Sequence, residues 1–146
     1  MKLILIRHGE SARNSGKEVA DNENYLTIKG VKQAVNTASL LADTQIDAIY
    51  CSPAKRCEQT LDEILRIRSD NFPIHMTQLV GPKLKSESYE RLKLRVEMFL
   101  DDLKYDHEKS ETILVISHVL PLSMMNYCVN KSDKKMENGE IVELEI

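Results

Sequence analysis

A chain of 146 residues, 42% apolar and 29% charged, has the size and composition of one soluble globular domain covering residues 1–146. A net charge of −3, an aromatic content of 5% and the lack of Trp argue against a nucleic-acid binder, which would present a basic field and stacking side chains. The apolar run at the N-terminus stops at Arg7, and no stretch approaches the roughly 18 apolar residues of a membrane span, so no membrane partner is expected.

Leu3–Ile6 is a continuous apolar run, the pattern of a strand buried on both faces. Thr27 is placed to cap a helix in which Val31, Val35, Ala38 and Leu41 recur at helical spacing. Ile46–Cys51 reads as a second strand, and Ser52-Pro53 as the start of a helix with Cys57, Leu61, Ile64 and Leu65 as its apolar stripe. A weaker strand is predicted over Ile74–Val80, broken by Gly81-Pro82-Lys83. A long helix follows from about Ser86 to Tyr105, with Tyr89, Leu92, Val96, Phe99 and Leu103 on one face and charges of both signs on the other. Thr112–Ile116 is another apolar strand, and Pro121 opens a short helix containing Leu122, Met125 and Val129. In Glu140–Ile146, Val142, Leu144 and Ile146 alternate with Glu143 and Glu145, as in a half-exposed edge strand. The order βαβαβαβαβ predicts an α/β three-layer sandwich with a mainly parallel sheet and one antiparallel edge strand.

In open α/β sheets ligands bind at the carboxyl ends of the strands. Arg7 and His8 follow the first strand, Ser52 and Arg56 follow the second, and Ser117 and His118 follow the strand at Thr112–Ile116. Two guanidiniums beside helix N-termini make a site for a dianion, most naturally phosphate. Beside such a site His8 is a candidate nucleophile, kept neutral by the neighbouring cations, and His118 a donor to the charge developing on the transferred group.

The segment Arg7-His8-Gly9-Glu10-Ser11-Ala12-Arg13-Asn14 resembles the signature of the histidine phosphatase superfamily, the phosphoglycerate-mutase-like group. Leu26-Thr27-Ile28-Lys29-Gly30 resembles its Leu-Thr-x-x-Gly helix start, and Ser52 to Thr60 its Ser-Pro-x-x-Arg-x-x-Gln-Thr element. Val115-Ile116-Ser117-His118 matches the strand that delivers a second histidine, so the four motifs span Leu3 to His118 in family order. The resemblance implies that His8 is phosphorylated, that Arg7, Arg56 and His118 hold the phosphoryl group with help from Asn14, and that Ser11 lines the pocket. Val119 stands where the family usually has Gly; its backbone N–H can still donate, and Val119-Leu120-Pro121 makes that rim bulkier and more apolar. Ser-His-x-x-Pro is also similar to short bacterial phosphohistidine phosphatases.

The family's usual acidic proton donor is not evident between Thr60 and the long helix. Asp62 and Glu63 belong to the preceding helix, Asp70 to a loop away from the rim, and Leu79-Val80-Gly81 stands where a Leu-x-Glu pattern would be sought. Glu87 is the nearest candidate general acid; the competing and favoured reading is an acid in a first helical turn complementing the dipole. The family's lid region is nearly deleted here, which predicts an open pocket and a large substrate, such as a phosphorylated protein.

His75 and His107 read as structural or exposed. No His, Cys, Asp or Glu cluster has metal-ligand spacing, so no metal and no cofactor are expected. Cys51, Cys57 and Cys128 fit neither C-x-x-C spacing nor a disulfide framework and are expected to be reduced thiols in the cytoplasm. Cys51 and Arg56 have four intervening residues, one short of a C-x₅-R phosphate loop, which removes a cysteine-dependent phosphatase. The leading expectation is a metal-independent phosphatase acting on a phosphorylated small molecule or a phosphoprotein through phosphohistidine at His8. The alternative is a binding module that holds a phosphate-bearing ligand without turnover; a mutase ranks lower, since the insertions that hold a second phosphate are missing.

Overall fold

Apolar runs with successive side chains on opposite faces make strands that must be covered on both sides. The computed structural model, which describes residues 1–146, shows five strands, the three central ones covered in this way, and four α-helices. They are β1 (Lys2–Arg7), α1 (Ile28–Leu40), β2 (Ala48–Cys51), α2 (Lys55–Arg66), β3 (Ile74–Met76), α3 (Tyr89–Asp106), β4 (Thr112–Ser117), α4 (Val119–Asn130) and β5 (Ile141–Glu145). The sheet order is β3-β2-β4-β1-β5, parallel throughout except for β5, which runs antiparallel to β1 at one edge. Leu3, Leu5, Ile113 and Val115 face a core completed by Leu92, Val96, Phe99 and Leu103 of α3 and Leu122 and Met125 of α4. Ile4, Ile6, Ile49, Leu114 and Ile116 face the other way, onto Ala38 of α1 and Cys57, Leu61 and Ile64 of α2. The molecule is therefore the expected three-layer α/β sandwich. No helix is long and apolar enough to cross a membrane.

Several local expectations change. On α1 the buried face is Gly30, Ala34, Thr37 and Ala38, and Val31 and Val35 are exposed. The reason is close approach: a Cβ at Gly30 would collide with the Glu10 carbonyl, and one at Gly9 with the Gly30 carbonyl. Small side chains, not bulky ones, mark the inner side of this helix. The strand predicted over Ile74–Val80 stops at Met76, because the Thr77 hydroxyl caps a 3₁₀ turn over Gln78–Val80 by accepting from Leu79 N–H at 3.2 Å. The cap position of α2 is Ala54, without a side-chain bond, rather than Ser52, whose hydroxyl accepts from Ala54 N–H at 3.3 Å and also meets His118. The long helix starts at Tyr89, behind a Ser88 cap on Arg91 N–H, rather than at Ser86. Its Tyr89 is exposed rather than part of the apolar stripe. The short helix begins at Val119, with Pro121 inside its first turn, where no backbone N–H is required.

From β1 the chain leaves toward the α1 face, and from the neighbouring β4 toward the α4 face. The β1/β4 junction is thus the topological switch point, where an open α/β sheet forms its crevice. Arg7 pairs with Ser117 in register, so His8 and His118 emerge side by side there.

Candidate active site

His8 continues from β1, its N–H donating to Ser117 O at 3.2 Å. Its carbonyl accepts from Gly139 N–H at 3.2 Å and from Asn138 Nδ2 at 3.1 Å. Gly139 has a φ of +77°, a conformation that favours glycine, so the Asn138-Gly139 turn clamps the His8 backbone from the C-terminal side. The imidazole Nδ1 lies 2.6 Å from the Gly9 carbonyl. A carbonyl only accepts, so Nδ1 carries the proton and Nε2 keeps its lone pair. Burial pushes the His8 pKa down from 6.5 to about 3, opposed by the Gly9 bond and reinforced by Arg56 and Arg7. The neighbouring cations thus act in the expected direction, but desolvation is the larger cause.

His118 stands edge-on to His8, with ring centroids 5.2 Å apart. Arg56 Nη2 donates to its Nδ1 at 3.2 Å, and a guanidinium can only donate. The proton of the neutral ring is therefore on Nε2, 2.8 Å from Ser52 Oγ. Burial first, then His8, Arg56 and Arg7, lower its pKa to about 2. Arg7 donates through Nη1 to Met136 O at 2.8 Å, while its buried Nε has no protein partner. Burial lowers the pKa of both guanidiniums, a cost that an anion between them reverses.

These groups converge on a cleft of about 220 Å³. Arg7, His8, Ser11, Asn14, Arg56, His118 and Val119 all line it, so the structure brings together every predicted residue except Glu87. Asn14 accepts through Oδ1 from Ser11 N and Ser11 Oγ, and from Asn138 Nδ2, which leaves its own amide N–H₂ as the free donor. Val119 is the first residue of α4, so its N–H has no partner within the helix. Glu87 is elsewhere. Its carboxylate is held by Arg95 at 2.8 and 2.9 Å, and this pairing keeps its pKa below the usual range. No Asp or Glu lines the cleft.

Arg13, Asn24, Pro82 and Lys83 also line the cleft and were not anticipated. Thr60 Oγ1 accepts from Gly9 N–H at 3.2 Å and donates to Arg56 O at 2.8 Å, joining two motifs behind the site. Gln59 Oε1 accepts from Leu26 N–H at 2.8 Å, joining a third. The Asn-Gly turn signal at 138–139 could have pointed to the clamp on His8; nothing in the sequence marks Lys83 or Asn24. The cleft opens onto a wider trough of about 1080 Å³ edged by Lys17, Lys83 and Lys85 and by Glu18, Asp21 and Glu23.

No three His, Cys, Asp or Glu side chains come together as a metal site. Cys51 and Cys57 are buried free thiols, and burial raises both pKa values, that of Cys57 to about 12. His75 stacks on Tyr50, and His107 Nε2 lies 2.9 Å from the Tyr50 hydroxyl; neither lines the cleft.

A family model described as histidine phosphatase superfamily (branch 1) matches residues 3–79, more than half of the chain. A protein named as a probable phosphatase from Schizosaccharomyces pombe is 36% identical over 85 residues, covering 58% of this chain. The chain spans only 40% of that relative's length and 51% of that of a second S. pombe protein of similar name. Among solved structures, a phosphoglycerate mutase from Bacillus anthracis superposes with a TM-score of 0.84 at 17% identity, covering 98% of this chain and 86% of the mutase. The protein histidine phosphatase SixA, complexed with tungstate, superposes at 0.76 and 19% identity, with the same two coverages of 98% and 86%.

Proposed function

The chain belongs to the histidine phosphatase superfamily, and on that premise we propose that it hydrolyses a phosphomonoester or phosphoramidate through a phosphohistidine on His8. The observation that carries this is the His8 Nδ1–Gly9 O contact of 2.6 Å, which aims an unprotonated Nε2 into a cleft shared with two guanidiniums. Nε2 attacks phosphorus, the bond to the leaving group breaks with its electron pair on the leaving atom, and Nδ1 keeps its proton on Gly9. Water then attacks phosphorus, the N–P bond breaks, and phosphate departs with neutral His8 restored. Arg7, Arg56, the Asn14 amide and the Val119 N–H neutralise the equatorial oxygens, the electrostatic work that dominates phosphoryl transfer. Once Arg56 turns from His118 to the phosphoryl oxygens, the His118 proton can pass from Nε2 to Nδ1, which then donates to them as well; Ser52, an acceptor before that shift, becomes the donor to Nε2 after it.

The carboxylate-free cleft bears on the substrate. Loss of a general acid costs around 10²–10⁴ in rate, and it costs least where the leaving group is a stable anion or already carries its proton. Phenols and the imidazole of a phosphohistidine meet that requirement, which places a phosphoprotein or a phosphorylated small molecule within reach. SixA, named a protein histidine phosphatase, has the same fold. The same cleft supports a second reading, a module that binds phosphate groups without turnover. An aryl phosphate assay in the presence of a chelator separates them. Turnover is expected, with an acid-labile, alkali-stable phosphoenzyme that His8→Ala abolishes and with His118→Ala and Arg56→Ala reduced by a few orders of magnitude. Tight phosphate-ligand binding without turnover would establish the module instead.

A further inference from the structure

A groove of about 780 Å³ runs between α3 and α4, outside the phosphate cleft. Val119, Leu120, Met124 and Tyr127 share one side of α4, and Tyr89 and Leu92 face them from α3. Leu120, Tyr127 and Tyr89 are 39%, 44% and 60% exposed, a clustering of large apolar side chains that marks a binding surface. The groove is continuous with the cleft. Val119 and Leu120 line both, and across the mouth the Lys83 ammonium, itself part of the cleft, sits 5.0 Å from the Tyr89 ring centroid.

Size and polarity decide what this continuity is for. At about 220 Å³ the cleft falls below the range of small-molecule sites, roughly 300–1,000 Å³, whereas the groove falls within it. Whatever carries the phosphoryl group must extend into a neighbouring space. The trough on the other side offers hydrated charges of both signs, with Arg13 already paired to Asp21. The groove also carries charges, Glu90, Lys93, Asp133 and Lys135, but six of its 11 lining residues are apolar against three of 13 in the trough, and burial of that surface stabilises a bound ligand.

We infer that the α3/α4 groove receives the leaving group, and that the substrate is a small phosphate ester or phosphoramidate whose leaving group has an aromatic or other apolar body. This rests on the phosphatase reading of the cleft. The test compares phenyl phosphate with 4-cyclohexylphenyl phosphate, whose phenols have nearly the same acidity, so that only the apolar body differs. The larger ester is expected to have a kcat/KM about 10-fold or more higher. Tyr127→Ser should lower kcat/KM for the larger ester more than for phenyl phosphate and so bring that ratio toward one. The matching phosphonates, titrated calorimetrically into His8→Ala protein, should differ in Kd by a similar factor. Equal constants for the two compounds, or a ratio that Tyr127→Ser does not move, would overturn the inference while the phosphatase reading stood. Absence of His8-dependent turnover would remove the phosphatase reading, and the phosphonate Kd ratio would still decide the groove. Two results assign the groove to another occupant and overturn the inference. One is a preference seen only for phosphopeptides with apolar flanking residues; the other is a dimer in sedimentation that Tyr127→Ser dissociates.

Discussion

Two neutral histidines with opposite proton placements share the cleft, and each placement is set by one neighbour. His8 is fixed by a backbone carbonyl that cannot change role, so its Nε2 is permanently an acceptor. His118 is fixed by Arg56, whose guanidinium can only donate and so keeps Nδ1 an acceptor, and the proton on Nε2 is taken by the Ser52 hydroxyl. Ser52→Ala is therefore expected to lower kcat for an aryl phosphate by roughly 5- to 150-fold, the equivalent of about 1–3 kcal/mol for a buried unsatisfied group, with little change in KM. Ser52→Thr, which keeps the hydroxyl, should recover most of the rate; a loss equal to that of Ser52→Ala would refute the positioning role. Both histidines also link stability to pH. Their folded pKa values, about 3 and about 2, lie below the ordinary 6.5, so the unfolded chain binds more protons in between. The contribution is fully present above pH 6.5 and is lost as the pH falls below it, at up to about 1.4 kcal/mol per pH unit for each histidine. Urea midpoints at pH 7 and pH 5 should show this loss, and His118→Asn should halve its slope.

At the scale of elements, α1 is positioned by the absence of side chains. Gly9 and Gly30 bring the loop after β1 and the first turn of α1 into backbone contact, and Thr27 secures the join by capping Gly30 N–H at 3.0 Å and donating to Glu10 Oε1 at 2.8 Å. The glycine of the Arg-His-Gly triplet and that of Leu-Thr-x-x-Gly thus serve one contact. Gly30→Ala should cost about 1–3 kcal/mol by overpacking, since the obstruction is backbone that cannot rotate away. A thermal melt would detect it, and an unchanged Tm would show that α1 can shift outward. Exposed Val31 and Val35 follow from the same contact, because the helix is rotated to bring its small residues inward.

For the molecule as a whole, the candidate active site depends on four segments distant in sequence meeting at the β1/β4 switch point. The loop that brings Pro82 and Lys83 to the cleft is held by Arg95 of α3. Arg95 Nη1 donates to the carbonyls of Gln78, Leu79 and Gly81 at 3.2, 2.9 and 3.0 Å, while Glu87 holds its other edge. Glu87 is then a structural partner rather than a proton donor. Glu87→Gln should change kcat by less than about 10-fold, against roughly 10²–10⁴ for loss of a general acid. Arg95→Ala should increase hydrogen exchange over residues 78–87; an undisturbed loop would show that the clamp is dispensable.

The sequence alone determined the layer architecture, the antiparallel edge strand and most of the residues that line the cleft. Those features rest on hydrophobic periodicity and on residue types placed at strand ends, both local quantities. Periodicity could not tell a helix face packed through glycine and alanine from one packed through valine, nor see that the Thr77 hydroxyl would end β3 early. Only the tertiary structure decided which partner each polar group takes. It set the Ser52 hydroxyl against both Ala54 N–H and His118, and paired Glu87, the candidate acid, with Arg95. It also set the apolar α3/α4 groove beside the cleft, since that juxtaposition joins residues some 30 positions apart.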